Sequence, residues 1–321
     1  MKIAITGGEG FIGQRLIPLL RMAGHECVII DKAHEANPVD VRDFPALSQA
    51  LQGCDAIYNL AAEHADNVTP ISLYYDVNVQ GMKNLLAAAE ANNIRRIIFT
   101  SSFAIYGLNT GAPDEAAPAQ PFNDYGKSKW EAEEVLKAWA DRNPSSVITI
   151  VRPVVVFGEG NRGNVYNLID QVARGKFLMI GNGKNRKSIA YVGNVAAFLS
   201  FVLPQQDHWQ IYNYADKPDL DMNELIGMIY ENLGKTMPKI AIPYAMGLVG
   251  GAGFDALSRL TGRKFPISIV RIQKFCADTI SDSGKMRSAG FVPEYTLEQG
   301  LERMIAHDFI NGQDEKQGKA A

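Results

Sequence analysis

The stretch Thr6-Gly-Gly-Glu-Gly-Phe-Ile-Gly13 decides the fold class. It follows an apolar, β-branched run, Lys2-Ile-Ala-Ile-Thr6, and opens an amphipathic segment, Phe11–Ala23, so it sits where a strand turns into a helix. Gly7, Gly10 and Gly13 recur every third residue. In that setting the first glycine permits the tight turn, the second lets backbone approach a pyrophosphate, and the third brings helix and strand close together. Phe11 and Ile12 belong to the same turn. The anion would rest on the helix N-terminus, where free N–H groups and the helix dipole favour negative charge. Asp31 closes the next strand pattern, Glu26–Ile30, 18 residues after Gly13. An acid there accepts hydrogen bonds from the adenosine ribose hydroxyls and repels a 2′-phosphate. The reading therefore favours NAD over NADP, with Lys32 next to it as the counter-signal.

Outward from this loop, short apolar runs alternate with longer amphipathic ones. Candidate strands at Ala56–Leu60, Ile97–Thr100 and Val147–Arg152 are interleaved with helix-like stretches at Phe44–Gln52, Tyr74–Ala91 and Tyr125–Ala140. Strict alternation argues for βαβ units and a parallel sheet covered by helices on both faces. The expected fold is α/β: a Rossmann-type doubly wound parallel sheet with a smaller, mostly helical C-terminal substrate lobe. Residues 1–163 would form the NAD-binding domain, with 188–215 returning to it. Residues 164–187 and 216–310 would form the substrate lobe, and 311–321 a disordered polar tail. Asp40-Val41 would reach the adenine edge. Leu60-Ala61-Ala62 follows a strand with residues mostly small enough to let backbone pass close to the cofactor.

Composition limits the function classes. Of 321 residues, 46% are hydrophobic and 21% charged, and the formal net charge is −3. That balance gives no general attraction to nucleic acid or to an anionic membrane. Three cysteines without a CxxC pair suggest a reducing compartment. The five histidines show no metal-ligand spacing, so no metal is expected. The chain begins directly in a strand pattern, and no secretory leader is read there. Its longest charge-free apolar stretch, Ile240–Phe254, is broken by Pro243 and four glycines and is too short to span a bilayer. The expectation there is a buried helix start or an oligomer contact, in a cytoplasmic protein.

A second constellation carries chemistry. Tyr125-Gly-Lys-Ser-Lys129 puts Tyr125 and Lys129 four apart, on one face of a helix. A phenol with a free pKa near 10 is a poor base at neutral pH. A nearby ammonium together with an oxidised nicotinamide would favour the phenolate. Thr100-Ser101-Ser102 lies at the C-terminal end of a candidate strand, the edge where open α/β sheets place their ligands. Ser102 could hydrogen-bond the same substrate oxygen that Tyr125 deprotonates.

Taken together, the glycine loop, Asp31, Leu60-Ala61-Ala62, Ser101-Ser-Phe-Ala-Ile-Tyr-Gly107, Tyr125-x-x-x-Lys129 and Arg152-Pro153 resemble the extended short-chain dehydrogenase/reductases. Within them the chain looks most like the NAD-dependent nucleotide-sugar epimerase/dehydratase group. The resemblance implies that Ser102 is the catalytic serine, Tyr125 the acid/base and Lys129 the ribose-binding partner. Asn78 would support the site, while Asn164, Lys187 and Arg186 would contact a substrate diphosphate. It also implies a homodimer joined by two helices of each subunit. Two departures matter. Dehydratases of this group carry Thr-Asp-Glu where this chain has Ser102-Phe103-Ala104, so removal of water lacks its acid pair. Epimerases usually carry Arg-x-x-Asn where this chain has Arg152-Pro-Val-Val155.

The reading is an NAD-dependent epimerase acting at C4 of a UDP-hexose through a 4-keto intermediate. The alternatives are a keto-sugar reductase or a hydroxysteroid-type dehydrogenase of the same superfamily, for which the apolar 240–254 segment could serve a lipophilic substrate. More remote is a non-catalytic NAD-binding sensor.

Overall fold

The structure is a computed structural model that describes residues 1–65, 68–238, 240–261 and 268–311. Six strands form the central sheet: β1 (Lys2–Thr6), β2 (Glu26–Ile30), β3 (Ala56–Asn59), β4 (Arg96–Thr100), β5 (Val147–Pro153) and β6 (Trp209–Tyr214). Their order is β6-β5-β4-β3-β1-β2, and every neighbouring pair is parallel. The strand order reverses between β1 and β3, and at such a switch point the loops part to leave a crevice at the carboxyl edge.

The strands are apolar because both faces are covered. On one face Ile3, Ile5, Tyr58 and Ile98 pack with Leu16 and Leu20 of helix Gly13–Met22 and with Phe198 of helix Val192–Phe201. On the other, Ala4, Ile57, Ile97 and Ile150 meet Leu47, Leu85 and Leu136, carried by helices Phe44–Ala50, Gly81–Ala91 and Asp124–Arg142. A third cluster gathers Phe157, Ile169, Ile226 and Leu301 in the C-terminal half, where short strand pairs replace the large sheet.

Two expectations are corrected here. The segment Tyr74–Ala91 is not one α-helix. A π-helical turn at Asp76–Gln80 separates Ser72–Tyr75 from Gly81–Ala91. Such a turn makes room for polar side chains that would not fit the regular ladder, and is frequent at functional sites. The stretch 240–254 is not a buried helix start. It leads into helix Tyr244–Thr261 with Ile240, Met246 and Val249 exposed by 73, 65 and 74%. The tail beyond Asn311 lies outside the described residues.

Candidate active site

The glycine loop is built as a cradle. Gly7 has φ +69°, a conformation that favours glycine, and its N–H donates to the Ile30 carbonyl at 2.8 Å. A Cβ at Gly7 would lie 2.7 Å from the Ala61 nitrogen, and one at Gly13 would lie 2.5 Å from the Gly8 carbonyl oxygen. No side chain fits at either position, so the loop folds tightly against the residues after β3 and against its own helix. Phe11 and Ile12 remain half-buried beside it, with the Arg15 guanidinium 4.9 Å from the Phe11 ring centre.

Asp31 stands at the end of β2 next to this cradle. Its carboxylate accepts from the Glu9 N–H at 3.1 Å and the Ala33 N–H at 2.9 Å, which ties it to the glycine loop and leaves further lone pairs for a ribose. Lys32 is exposed beside it. Leu60, Ala61 and Ala62 are half-buried on the other side of the loop, with Leu60 N–H donating to the Thr6 carbonyl at 3.0 Å. Val41 is buried and fills the space over Gly81, where a Cβ would meet it at 2.8 Å. Asp40 is committed elsewhere. Its carboxylate holds the Arg42 guanidinium at 2.7 Å, and the hydrogen bond from Arg42 keeps its pKa below the usual carboxylate value.

At the C-terminal end of β4, Ser102 caps a short 3₁₀ turn, Phe103–Tyr106, its Oγ accepting from the Ala104 N–H at 3.1 Å. Tyr125 lies in the first turn of helix Asp124–Arg142, which Asn123 caps by accepting from Gly126 N–H at 2.9 Å. The helix can approach the serine loop because residue 126 is glycine, where a Cβ would sit 2.6 Å from the Ala104 carbonyl oxygen. The Tyr125 side chain is thereby brought beside Ser102. Burial raises the Tyr125 pKa, and the bond with Ser102 opposes the rise.

Lys129 departs from the simple expectation of an ammonium held against the phenol. Its Nζ donates to the Thr100 carbonyl at 2.7 Å and lies 4.4 Å from the Phe99 ring centre. Only 2% of the residue is exposed, and burial lowers its pKa to about 7 while the Glu133 charge opposes the shift. Burial, not the lysine, therefore dominates the Tyr125 phenol.

Asn78 occupies the π turn. Its amide donates to Ser128 Oγ at 2.9 Å and to the Glu63 carbonyl at 3.0 Å, and accepts from Glu63 N–H at 2.9 Å. It thus joins the segment after β3 to the residue next to Lys129. Sequence reading missed three further features. Thr100 Oγ1 and Ser101 Oγ are buried without a hydrogen-bond partner at the carboxyl edge of the sheet. A buried ion pair, Glu133 with Arg152, runs beneath Lys129. A cavity of about 1060 Å³ is lined by Asn109, Gln120, Phe122, Asn182, Asn185 and Tyr244, among others.

The residues expected to meet a diphosphate do not converge on that cavity. Asn164 is the exposed first residue of helix Asn164–Ala173. Arg186 donates to the Asp219 carbonyl at 3.1 Å. Lys187 Nζ is held by the carbonyls of Lys274, at 2.9 Å, and Ala277. Burial lowers its pKa to about 8. The cavity instead offers the neutral amides of Asn109, Gln120, Asn182 and Asn185.

Residues 3–215 match the NAD-dependent epimerase/dehydratase family. The chain belongs to that family. The family is NAD-dependent, and the cradle fits the cofactor: a glycine turn that no side chain could fill, an acid at the end of β2, and unpartnered buried hydroxyls at the sheet edge. Gly7, Gly10, Phe11, Ile12, Gly13, Asp31 and Leu60–Ala62 would hold it. Among curated relatives, the chain is 50% identical to the N-acetyl-alpha-D-glucosaminyl-diphospho-ditrans,octacis-undecaprenol 4-epimerase of Escherichia coli O157:H7, over 97% of this chain and 96% of that one. It is 27% identical to the UDP-glucose 4-epimerase of Vibrio cholerae, over 94% of each chain. In fold it is similar to the crystal structure of Thermus thermophilus UDP-glucose 4-epimerase in complex with NAD. That similarity has a TM-score of 0.74 at 21% identity and covers 96% of this chain and 98% of the other. Family membership and fold agree with the sequence reading of an NAD-dependent enzyme on a doubly wound sheet.

Proposed function

We propose that this protein is an NAD-dependent 4-epimerase of a hexose joined through C1 to a diphosphate. The placement of Ser102 just past β4, with the Tyr125 helix packed against the serine loop at Gly126, carries the reading. Tyr125 Oη accepts the proton of the C4 hydroxyl while Ser102 Oγ holds the same sugar oxygen. NAD, held by the glycine cradle and Asp31, would supply the reversible two-electron redox chemistry at C4. Between oxidation and reduction the 4-keto sugar turns over within the site, and Tyr125 Oη then gives its proton back to the C4 oxygen. Acid–base assistance of this kind contributes about 10²–10⁴-fold. Lys129 binds the cofactor ribose and gives up its bond to the Thr100 carbonyl to do so. Asn78 steadies the helix that carries both residues.

Residues 1–163 with 188–215 form the cofactor half of the reading, and 164–187 with 216–310 the substrate half. β6 (Trp209–Tyr214) supports this division by pairing with β5. The enzyme works as a cytoplasmic homodimer, as its sequence resemblance implies. Among the described residues no helix is long and apolar enough to cross a membrane.

Two carriers for the diphosphate follow from the relatives. One is uridine, which the sequence resemblance also implies, and the other is undecaprenol, from the relative at 50% identity. The test is incubation of the purified protein with UDP-glucose, UDP-N-acetylglucosamine and polyprenyl diphospho-N-acetylglucosamine. Sugars are resolved by chromatography and the nicotinamide followed by absorbance. A C4 epimer formed without net NADH supports the proposal. Stoichiometric NADH change would instead make the protein a keto-sugar reductase or a dehydrogenase.

A further inference from the structure

The C-terminal half carries a surface that the epimerase reading does not use. Helix Tyr244–Thr261 packs through Gly247 and Gly251, where added Cβ atoms would lie 2.7 Å from Ile180 and 2.9 Å from Ile272. The other side of the same helix presents Met246, Val249 and Leu257, at helical spacing, exposed by 65, 74 and 42%. Ala245, Gly250, Ala252 and Gly253 are also exposed, so no charge interrupts that face between Ala245 and Gly253. Val270 and Ile240, at the two flanking segments, are exposed by 46 and 73%.

Charge is segregated along the sequence that carries this helix. The stretch from Lys235 to Cys276 holds seven of the chain's 32 Lys and Arg and one of its 35 Asp and Glu. The chain as a whole is mildly acidic, so this basic stretch stands out against it. Of its basic residues, Lys235 and Arg271 are exposed, and Lys274 lies half-buried with its Nζ 5.7 Å from the Phe122 ring centre. An exposed apolar helix face carried by a basic stretch of chain is the pattern of a helix that lies in the lipid headgroup layer, its apolar side down and its cations on anionic lipid. Ala241, Pro243 and Tyr244, at the start of that helix, also line the cavity.

We propose that helix Tyr244–Thr261 and the start of helix Ile269–Cys276 seat this protein on an anionic membrane surface, with the cavity mouth at the lipid boundary. A diphospho-sugar on a lipid carrier would then reach the cavity without leaving the bilayer. That last consequence rests on the epimerase reading, whereas docking itself does not.

The test is co-sedimentation of the full-length protein, saturated with NAD, with vesicles of phosphatidylcholine alone or mixed with phosphatidylglycerol. The protein sediments with the anionic vesicles at low salt, and less as salt screens the attraction. The double variant Met246→Glu, Val249→Glu binds them at least about tenfold more weakly, with NAD affinity and thermal unfolding unchanged because both residues are exposed. Wild-type protein that stays in the supernatant with anionic vesicles at low salt overturns the proposal, as does a double variant that binds like wild type. A double variant that only dissociates an oligomer, seen by light scattering, would make the face an interface between copies and equally overturn it. Loss of the epimerase reading looks different: vesicles still bind, but no diphospho-sugar is epimerised.

Discussion

The buried pair beneath Lys129 gives a prediction for which the structure supplies the size. Arg152 Nε and Nη2 donate to the two oxygens of Glu133 at 2.9 and 2.5 Å, both residues being 3% exposed. Arg152 Nη1 also donates to Tyr106 Oη, whose own hydroxyl donates to Asn213 at 2.9 Å. One network therefore ties the serine loop, the Tyr125 helix, β5 and β6 together. Glu133→Gln keeps the shape and removes the charge, leaving a guanidinium with no counter-ion in a site that water does not reach. Breaking one side of a buried pair costs about 3–5 kcal/mol, a large share of the ~5–15 kcal/mol that holds a protein folded. With one acceptor retained, about 3 kcal/mol is expected, read by urea unfolding as a lower midpoint at unchanged slope. Arg152→Met combined with Glu133→Leu should recover most of that loss, since an apolar pair avoids the desolvation penalty. A single variant within about 1 kcal/mol of wild type would refute the reasoning.

Other consequences are as concrete. Gly13→Ala forces a methyl against the Gly8 carbonyl oxygen 2.5 Å away, so NAD affinity measured by fluorescence should collapse and stability fall by about 1–3 kcal/mol. Asp31→Ala should weaken NAD binding and raise the NADP-to-NAD affinity ratio at least tenfold, and an unchanged ratio would remove Asp31 from the ribose site. Lys129 has a pKa lowered to about 7 by burial against about 10.4 unfolded, so the unfolded chain binds the extra proton between those values. Its contribution to stability is complete above about pH 10 and is lost as pH falls through 7. Unfolding at pH 6, 7.5 and 9 should therefore show wild type gaining on Lys129→Met as pH rises, and parallel curves would contradict this.

Much of the architecture was legible because it rests on local rules. The spacing of Gly7, Gly10 and Gly13 reports a backbone with no room for Cβ atoms, and such a constraint shows in sequence wherever it occurs. β1 to β5 are mostly apolar runs because a parallel sheet is covered on both sides, whereas edge strand β6 carries Gln210 and Asn213. Long-range contacts were not legible. Nothing local says that Lys129 turns to the Thr100 carbonyl, that Lys187 is occupied by the carbonyls of Lys274 and Ala277, or that Arg152 finds Glu133 19 residues away. The π turn at Asp76–Gln80 escaped for a different reason, since its residues read as ordinary helix and the Asn78 amide exchanges bonds with Glu63 and Ser128 only in the folded chain. The exposure of Met246 and Val249 also depends on tertiary structure. An apolar run reads as core until Gly247 and Gly251 are seen to form the packed side.

The central claim is that C4 is oxidised and restored within one active site, with Tyr125 moving the proton. The measurement that tests it most directly follows a diphospho-sugar deuterated at C4 through turnover by wild type and by Tyr125→Phe. The account predicts that wild type keeps the deuterium at C4 in both epimers with none released to water. It further predicts that Tyr125→Phe binds NAD normally but turns over at least about 10²-fold more slowly. Deuterium lost to solvent, or a phenylalanine variant within a few fold of wild type, would contradict it.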